Sequence, residues 1–185
     1  MTSETSSRIE EWQRRPPFIR AQNGKEPGMV YWTGKCHCGR VAYQINKEKP
    51  LDAKYCHCTG CQVLHGAPFQ WAAIFNKSDL AFTRGHQWLD FYNQSEKQQA
   101  HHLPCKASCS YCHAPIMDEG RNVLLLFPGL IEPESGLAKG GKGTGTVRQA
   151  FEPSCHIFYS QRMVDIRDGK PKWAGMNDSS DLIEE

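Results

Sequence analysis

At 185 residues, the chain is long enough for one ordinary domain with extensions and too short for two independent cores. Its 39% hydrophobic and 23% charged residues are near globular averages, and no apolar run approaches the roughly 18 residues of a membrane span. The net charge of +2 does not indicate a nucleic-acid or membrane partner, because such binding requires a concentrated basic surface.

Residues 1–28 are predicted to form a disordered or loosely docked N-terminal arm. They include many polar residues, the Pro16-Pro17 pair and the Asn23-Gly24 turn signal, and they have too few apolar residues for a core segment. The stretch Met1–Arg15 lacks the apolar segment of a secretory signal. We therefore expect a soluble, cytoplasmic protein, with the nucleus as the alternative address.

Residues 29–174 are predicted to form one mainly β domain with little helix. Val41, Tyr43 and Ile45 alternate with Ala42, Gln44 and Asn46, which is the period-two pattern of a half-buried strand. Other short segments bounded by turn residues predict strands at Phe69–Phe75, Leu80–Thr83, Trp88–Tyr92, Val123–Phe127 and His156–Tyr159. Short helical turns are predicted at Thr59–His65 and near Glu10–Arg14.

Two segments are predicted to lie outside the packed domain. Residues 132–146 contain the run GLAKGGKGTGT, which is typical of a flexible surface insertion. A phosphate-binding role for this run is the alternative, but it lacks Walker spacing and a strand-to-helix context. Residues 175–185 are acidic and are predicted to form a frayed C-terminal tail.

The nine cysteines are the most informative feature of the composition. Eight of them lie between Cys36 and Cys112, in groups whose members are separated by only a few residues. Sulfurs one or two residues apart can bind one metal ion through a tight turn, whereas a disulfide between such neighbours would be strained. In a reducing compartment, clustered thiols of this kind usually hold metal.

Two short pairs from distant parts of the chain predict a closed zinc site. A structural zinc takes four tetrahedral ligands, and a C-x-C pair together with a C-x-x-C pair supplies them. The predicted ligands of this structural zinc are Cys36, Cys38, Cys109 and Cys112. Closing the site would tie an early strand to a late hairpin and would stabilise a small β core.

A compact triad of thiolates predicts a second zinc. Cys56, Cys58 and Cys61 lie within six residues and leave one coordination position to be filled from elsewhere. An open position would make the zinc catalytic, since it could polarise or deprotonate a bound group. A fourth ligand such as Cys105, His57 or His65 would make it structural, and spacing alone leaves both interpretations open.

The remaining histidines and cysteines have simpler interpretations. His37, His57 and His113 alternate with the cysteines, but neighbours in a tight turn usually point apart, so we expect them to be exposed or hydrogen-bonded within the turn. His101, His102 and His156 are expected to be ordinary surface or partly buried histidines. Cys105 and Cys155 are expected to be small buried side chains. Iron–sulfur binding is a minor alternative for the cysteine groups.

Three ordered motifs resemble the glutathione-dependent formaldehyde-activating enzyme family, which also includes centromere protein V. They are Gly34-Lys-Cys36-His-Cys38-Gly39-Arg-Val41-Ala-Tyr43, Cys56-His-Cys58-Thr-Gly-Cys61 with Gly66-Ala67-Pro68-Phe69, and Cys109-Ser-Tyr-Cys112. The segments His156-Ile-Phe158 and Asp168-Gly-Lys-Pro171 to Trp173 are similar to its closing part. The resemblance covers Tyr31 to Trp173.

This resemblance implies a zinc-bound β-tent fold of short antiparallel strands with two zinc ions. It implies that Cys36, Cys38, Cys109 and Cys112 hold the structural ion and that Cys56, Cys58 and Cys61 hold the catalytic one. It further implies a carbon–sulfur lyase that acts on a glutathione-like thiol or its aldehyde adduct, such as S-hydroxymethylglutathione. Three thiolates temper the Lewis acidity of zinc, so handling of a soft sulfur ligand is expected more than strong water activation.

Departures from the family pattern leave the substrate open. His113 stands where the family commonly has Gly, Cys105 and Cys155 are additions, and residues 132–146 lengthen the chain after Leu130. The segment Gly66 to Trp71 is a candidate substrate wall, with a hydrophobic core strand as the alternative. A second hypothesis for the whole protein is a zinc-stabilised, non-catalytic binding module with macromolecular partners.

Overall fold

The structure is a computed structural model that describes residues 9–20, 29–133 and 146–183. Most of the predicted arm and of the Gly- and Lys-rich insertion, and the last two residues, lie outside this range. The division of the chain into arm, domain and tail therefore stays a prediction. None of the helices in the described part is long and apolar enough to cross a membrane.

The fold is mainly β, as predicted. Eleven strands are present in the described ranges: β1 (Trp32–Lys35), β2 (Ala42–Ile45), β3 (Asp52–Cys56), β4 (Gln70–Asn76), β5 (Leu80–Arg84), β6 (Leu89–Tyr92), β7 (Cys105–Cys109), β8 (Pro115–Glu119), β9 (Val123–Leu126), β10 (Ile131–Pro133) and β11 (Cys155–Ile157). Two short α-helices accompany them, α1 (Thr59–His65) and α2 (Val147–Ala150). Short 3-10 helices lie at Glu11–Arg14, Lys77–Asp79, His86–Trp88, Pro128–Leu130 and Tyr159–Gln161.

The strands form two sheets. Four strands make one sheet in the order β10-β1-β2-β5, and seven make the other in the order β11-β3-β4-β9-β8-β7-β6. All neighbouring strands in both sheets run antiparallel except β11 and β3, which run parallel. Short antiparallel strands joined by tight connections suit a chain in which turn residues recur every few positions.

One core lies between the two sheets. Trp32, Tyr43 and Phe82 from the four-stranded sheet belong to the same buried cluster as Phe75 and Leu126 from the seven-stranded sheet. Alternate side chains of a strand point to opposite faces, so strands such as β2 and β9 contribute every second residue to this core. The outer face of the seven-stranded sheet carries both polar and apolar side chains, such as Asp118 and Leu125.

Two polar pairs lie on that outer face. Cys56 pairs with Gln70 across β3 and β4, and Lys106 pairs with Asp118 across β7 and β8. Ile74, Leu125 and Asp118 lie directly opposite one another and so share a face. Gln70 shares it too, because it is an even number of residues from Ile74 along β4. The cysteine triad therefore begins on the face that carries these polar groups.

The residues before β1 contribute more than the sequence suggests. Phe18 is buried in the core, although the composition of residues 1–28 predicts no core segment. Its ring stacks on Phe82 with centroids 5.6 Å apart and meets Trp12 edge-on at 4.7 Å. Aromatic residues bury a large area per side chain, so two of them can dock a segment that is otherwise polar.

The C-terminal segment is hydrogen-bonded to the domain as far as it is described. Trp173 forms a β-bridge with Leu182, and the amide of Ile183 donates to the carbonyl of Lys172 at 2.8 Å. The amide of Ala174 donates to the carbonyl of Asp181 at 2.8 Å. Residues 174–183 thus form a closed turn, in contrast to the predicted frayed tail.

Candidate metal centre

The first cysteine group is assembled from two tight turns that belong to different sheets. Cys36 follows β1, and its carbonyl accepts from the amide of Gly39, which has a φ of 74°. Cys109 ends β7, and its carbonyl accepts from the amide of His113 at 2.9 Å. Glycine adopts the left-handed conformation of the first turn without steric cost, so local sequence determines the turn's shape.

The four sulfurs of this group converge on one point. The Sγ atoms of Cys36, Cys38, Cys109 and Cys112 all lie within 4.8 Å of one another. The Sγ of Cys38 is 3.4 Å from that of Cys36 and 3.8 Å from that of Cys109. Sulfurs in a tetrahedral zinc site are about 3.8 Å apart, since each Zn–S bond is about 2.3 Å. The donor set and its spacing therefore fit zinc.

An aromatic contact joins the two turns outside the sulfurs. The guanidinium carbon of Arg40 lies 3.8 Å from the ring centroid of Tyr111 and 5.9 Å from that of Trp88. Cation–π contacts at exposed sites contribute about 0.5–1 kcal/mol. This contact holds the C-x-C and C-x-x-C turns together in addition to whatever the sulfurs bind.

His113 occupies a left-handed position in the second turn. Its φ is 56°, a region that favours glycine, and its side chain is exposed. This is the position at which the resembling family commonly has Gly. A side chain there costs roughly 1–2 kcal/mol of backbone strain. The turn keeps its shape with His113 in place of Gly, and the protein loses some stability.

The triad is built from the end of a strand and the start of a helix. Cys56 is the last residue of β3, Cys58 is the N-cap of α1, and Cys61 lies in its first turn. The amide of Cys61 donates to the Sγ of Cys58 at 3.3 Å, which satisfies one of the free amides at the helix start. All three Sγ atoms lie within 4.8 Å of one another.

The triad has three members in the described chain. Across residues 9–20, 29–133 and 146–183, no other His, Cys, Asp or Glu ligand atom joins this group within 4.8 Å. Cys105, His57 and His65, which the sequence offered as a fourth ligand, therefore lie outside it. The three cysteines are half-buried, so the group is reachable from solvent.

Hydrogen bonding within the triad concentrates negative charge on its middle residue. Thiols of Cys56 and Cys61 lie within hydrogen-bonding reach of the Cys58 sulfur, and the backbone amide of Cys61 adds a further donor; together they lower the pKa of Cys58. The same contacts raise the pKa of Cys61, because its thiol stabilises the neighbouring thiolates as a donor. A thiolate is the form that binds metal.

A buried chain of side chains lies directly behind the triad. His57 and His156 are both fully buried, and Nε2 of His57 is 2.9 Å from Nδ1 of His156. Nε2 of His156 lies 3.1 and 3.2 Å from the two carboxylate oxygens of Asp168. A carboxylate accepts, so Nε2 of His156 carries the hydrogen that is donated to Asp168. Which ring donates between His57 and His156 depends on the tautomer.

This chain corrects two sequence expectations. Burial, with a smaller contribution from His156, lowers the pKa of His57 to about 4, so the ring is neutral near pH 7. His57 was expected to be exposed or bonded within its turn, and His156 to be a surface or partly buried residue; both expectations are wrong. Pairing β11 beside β3 brings them together across 99 residues of sequence.

Helix α1 is anchored to the 3-10 helix Tyr159–Gln161. The Gln62 side chain donates to the carbonyls of His57 and Gln161, at 2.6 and 2.8 Å. The amide of Thr59 donates to the Oε1 atom of Gln161 at 2.9 Å. A seven-residue helix is marginal by itself, so these bonds determine where Cys58 and Cys61 lie relative to Cys56.

A third group of possible ligands is explained by ion pairing. His101, Cys105 and Glu119 have ligand atoms within 4.8 Å of one another. The Glu119 carboxylate, which is 2% exposed, accepts from Lys77 and His101, both at 2.7 Å. The lysine offsets the carboxylate charge, and both oxygens are already paired. Spacing along the chain does not predict this group, because Glu119 lies opposite Cys105 only through the pairing of β7 with β8.

The remaining histidines and cysteines singled out in the sequence have the surroundings expected of them. His37 is exposed, as expected, and His102 pairs at the surface with Glu96 at 2.8 Å. Cys105 and Cys155 are buried, as expected of small apolar side chains. All nine cysteines are free thiols in the structure.

The segment Gly66 to Trp71 leads from the end of α1 into β4. It enters β4 at Gln70, so a core strand is part of its role. The ring of Phe69 lies 5.2 Å from that of His57 and 5.1 Å from that of Tyr55. A cavity of about 720 Å³ is lined by Tyr55, Phe69, Trp71 and Asp168 among others. None of the triad cysteines lines this cavity, and Tyr55 and Trp71 lie on the face of the sheet opposite to Cys56 and Gln70. The strand interpretation is confirmed, and the substrate wall stays a prediction.

Comparison with known proteins is informative at the level of the family. None of the curated proteins matches the chain. A crystal structure of a protein from Rhodobacter sphaeroides has a TM-score of 0.44 and 23% sequence identity, and the similarity covers 58% of this chain and 94% of that one. Residues 31–161 match the family described as glutathione-dependent formaldehyde-activating enzyme. This match spans both cysteine groups and more than two-thirds of the sequence, so the chain belongs to the glutathione-dependent formaldehyde-activating enzyme family.

Proposed function

We propose that this protein is a zinc-dependent carbon–sulfur lyase that joins and separates a thiol and an aldehyde, as in S-hydroxymethylglutathione. The observation that carries the proposal is the half-buried triad of Cys56, Cys58 and Cys61, which no fourth side-chain ligand joins within the described residues. Three protein ligands with one further position are typical of catalytic zinc. Membership of a family described as formaldehyde-activating supports the same assignment.

The two cysteine groups would have different roles, one structural and one catalytic. Cys36, Cys38, Cys109 and Cys112 would hold a closed structural zinc, and the triad would hold the reactive one. When bound by the triad, zinc would supply Lewis-acid polarisation of an aldehyde oxygen or stabilisation of a thiolate. Three thiolate ligands favour a soft sulfur guest. This donor set is consistent with a thiol or thiol adduct as the small-molecule partner.

The proposed reaction is balanced without any further reagent. In the forward direction a carbon–sulfur bond forms between the thiol and the aldehyde carbon, and the carbonyl π bond breaks. The thiol proton is lost and the aldehyde oxygen gains one, so no net proton or electron is released. The protein's own contribution is to hold both partners side by side, which can supply several kcal/mol of the barrier.

The residues around the triad would fix its geometry during turnover. Gln62 and Gln161 tie α1 to the 3-10 helix Tyr159–Gln161, and His57 is locked by His156. Rigid support of reacting groups within about 0.5 Å is what a catalytic site requires. We also propose a cytoplasmic site of action, since nine free thiols suit a reducing compartment.

The substitution Cys58→Ser tests the proposal. We expect the variant to keep its fold, to retain one of two zinc ions and to lose acceleration of the exchange between formaldehyde and glutathione. Metal analysis and exchange spectroscopy measure these quantities. The matched control is Cys155→Ser, which changes a buried cysteine outside both groups and should retain both ions and the activity.

Two results would contradict the lyase assignment. Full exchange activity in Cys58→Ser would remove the triad from the mechanism. Absence of exchange in the zinc-loaded wild-type protein with every aldehyde and thiol pair tried would favour the alternative, a zinc-stabilised binding module.

A further inference from the structure

An unusual set of polar side chains lies next to the triad on the outer face of the seven-stranded sheet. Gln70 is directly opposite Cys56, and the two side chains share that face. Directly opposed residues have Cβ atoms about 4.5–5.5 Å apart. The Nε2 atom of Gln70 donates to Oδ2 of Asp118 at 3.3 Å. Gln70 therefore bridges the space between the first cysteine of the triad and Asp118.

The Asp118 carboxylate is only half satisfied. Its Oδ2 accepts from Gln70 and, at 2.7 Å, from the ammonium group of Lys106. Its Oδ1 is buried and has no hydrogen-bond partner among the described residues. A buried acceptor without a donor costs about 1–3 kcal/mol, and more when it belongs to a charged group. Such an atom needs an explanation, and a bound group is one of the few available.

A second orphaned atom belongs to the helix that carries the triad. His65 ends α1, and its Nε2 is also buried without a partner among the described residues. Its ring meets Phe127 edge-on at 5.0 Å. Burial and then the charge of Lys106 lower the pKa of His65, and Asp118 and Cys58 act on it in the opposite sense. The ring is therefore neutral near pH 7 and within electrostatic range of both Asp118 and the triad.

The two orphaned atoms are placed by different parts of the fold. Asp118 lies on the sheet through its pairing with Lys106, whereas His65 lies on the helix above that face. Asp118 accepts from Gln70, the residue opposite Cys56, and His65 lies on the same helix as Cys61. A thiol substrate held by its sulfur at the triad would extend between the sheet and the helix. There Asp118 Oδ1 would accept a hydrogen bond from it, and His65 Nε2 would provide a second polar contact.

We infer that Asp118 Oδ1 and His65 Nε2 form a polar subsite that binds an N–H group of the thiol substrate, either an ammonium or an amide. The inference rests on the proposed function, because the sulfur of the same molecule would be held at the triad. Asp118 accepts the N–H, and His65 contacts the same group from the helix side. Lys106 and Gln70 hold the carboxylate in place through its other oxygen.

Equilibrium binding of small thiols to the zinc-loaded protein tests the subsite without any aldehyde. The probes are cysteamine, which carries an ammonium, N-acetylcysteamine, which carries an amide N–H, and 2-methoxyethanethiol, which carries neither. We expect at least one N–H thiol to bind about tenfold or more tightly than 2-methoxyethanethiol, as a hydrogen bond to a charged group predicts. Calorimetry gives the three dissociation constants, and comparison of the first two probes identifies the preferred N–H source.

The substitution Asp118→Asn should reduce that preference to about threefold or less while zinc content and the circular dichroism spectrum stay unchanged. The matched control is Asp90→Asn, which alters an exposed carboxylate on β6 and should keep the full preference. If Asp118→Asn fails to fold, His65→Phe is measured in its place and should weaken the preference in the same direction.

The outcomes separate this inference from the lyase proposal. The subsite is overturned if the wild-type protein has no preference for N–H thiols, or if the Asp118→Asn variant keeps that preference. Internal water would then satisfy the two unpartnered atoms. If the preference depends on Asp118 but the wild-type protein accelerates no exchange, the subsite stands and the lyase proposal fails. If the wild-type protein accelerates the exchange but has no preference for N–H thiols, the lyase proposal stands and the subsite fails.

Discussion

Single buried charges in this protein are satisfied by partners that are distant in the sequence. Glu119 accepts from both Lys77 and His101, and all three side chains are largely shielded from solvent. The His101 ring also lies 5.1 Å from the ring of Trp12, so this ion pair lies under the docked segment before β1. Removing one member of a buried pair leaves the others without compensation.

We therefore expect Glu119→Gln to lower the free energy of unfolding by about 2–3 kcal/mol, because charged hydrogen bonds are lost in a shielded site. The matched substitution is Glu132→Gln, whose carboxylate lies 3.5 Å from Lys35 with 56% and 65% of the two side chains exposed. That change should cost below about 1 kcal/mol, as surface pairs do. Urea unfolding of both zinc-loaded variants measures the difference, and equal losses would contradict the argument.

At the scale of elements, the pairing of β1 with β2 depends on one glycine. Gly34 lies opposite Tyr43 in the register, and a Cβ atom there would overlap the Tyr43 ring. Tyr43 is 1% exposed and belongs to the core, and burial raises the pKa of its hydroxyl. The missing side chain of Gly34 therefore makes room for a core aromatic residue and allows the turn with Cys36 and Cys38 to follow directly.

Gly34→Ala should lower the free energy of unfolding by about 1–3 kcal/mol, since the Tyr43 ring must move within a packed core. Gly129→Ala is the control, because a Cβ at that position meets nothing within 4 Å. Its effect should stay within about 0.5 kcal/mol, as for other surface changes. Thermal unfolding followed by circular dichroism compares the two, and a larger loss in Gly129→Ala would show that close approach to Tyr43 is not the cause.

At the scale of the molecule, the two cysteine groups connect different parts of the fold. The group of four joins the turn after β1 in one sheet to the end of β7 in the other. The triad instead connects β3 to the adjoining helix α1 and spans only six residues. A metal ion in the first group would cross-link the two sheets, whereas one in the second would order a local loop.

Losing the cross-linking ion should therefore destabilise the whole fold. We expect Cys109→Ser to lower Tm by about 10–20 °C, the equivalent of roughly 5 kcal/mol for a chain of this size. Cys61→Ser should release the other ion and shift Tm by less than about 5 °C. Calorimetry with metal analysis of both variants measures this, and a similar drop in both would refute the division into a structural and a reactive site.

Residue types and short spacings determined the family, the mainly β class and the grouping of the cysteines. Cys36 and Cys38 are adjacent in space because a tight turn brings neighbours together, whatever the rest of the chain does. Alternation predicted β2, and breakers bounded the segments of β4, β5, β6 and β9. The helical turn at Thr59–His65 was also predicted, and it is α1. Apart from the meeting of the two distant cysteine pairs, these features depend on interactions within a few residues.

Tertiary structure alone decided which polar groups meet. Strand β7 was missed because its inward residues, such as Cys105 and Ala107, are small. Strand β8 was missed because Ile116 and Met117 are adjacent and both buried, so the strand has no alternating pattern. The contacts of His57 with His156 and of Gln70 with Asp118 join positions 99 and 48 residues apart. Which residues share a face of a sheet depends on the pairing of strands, and local sequence does not specify that pairing.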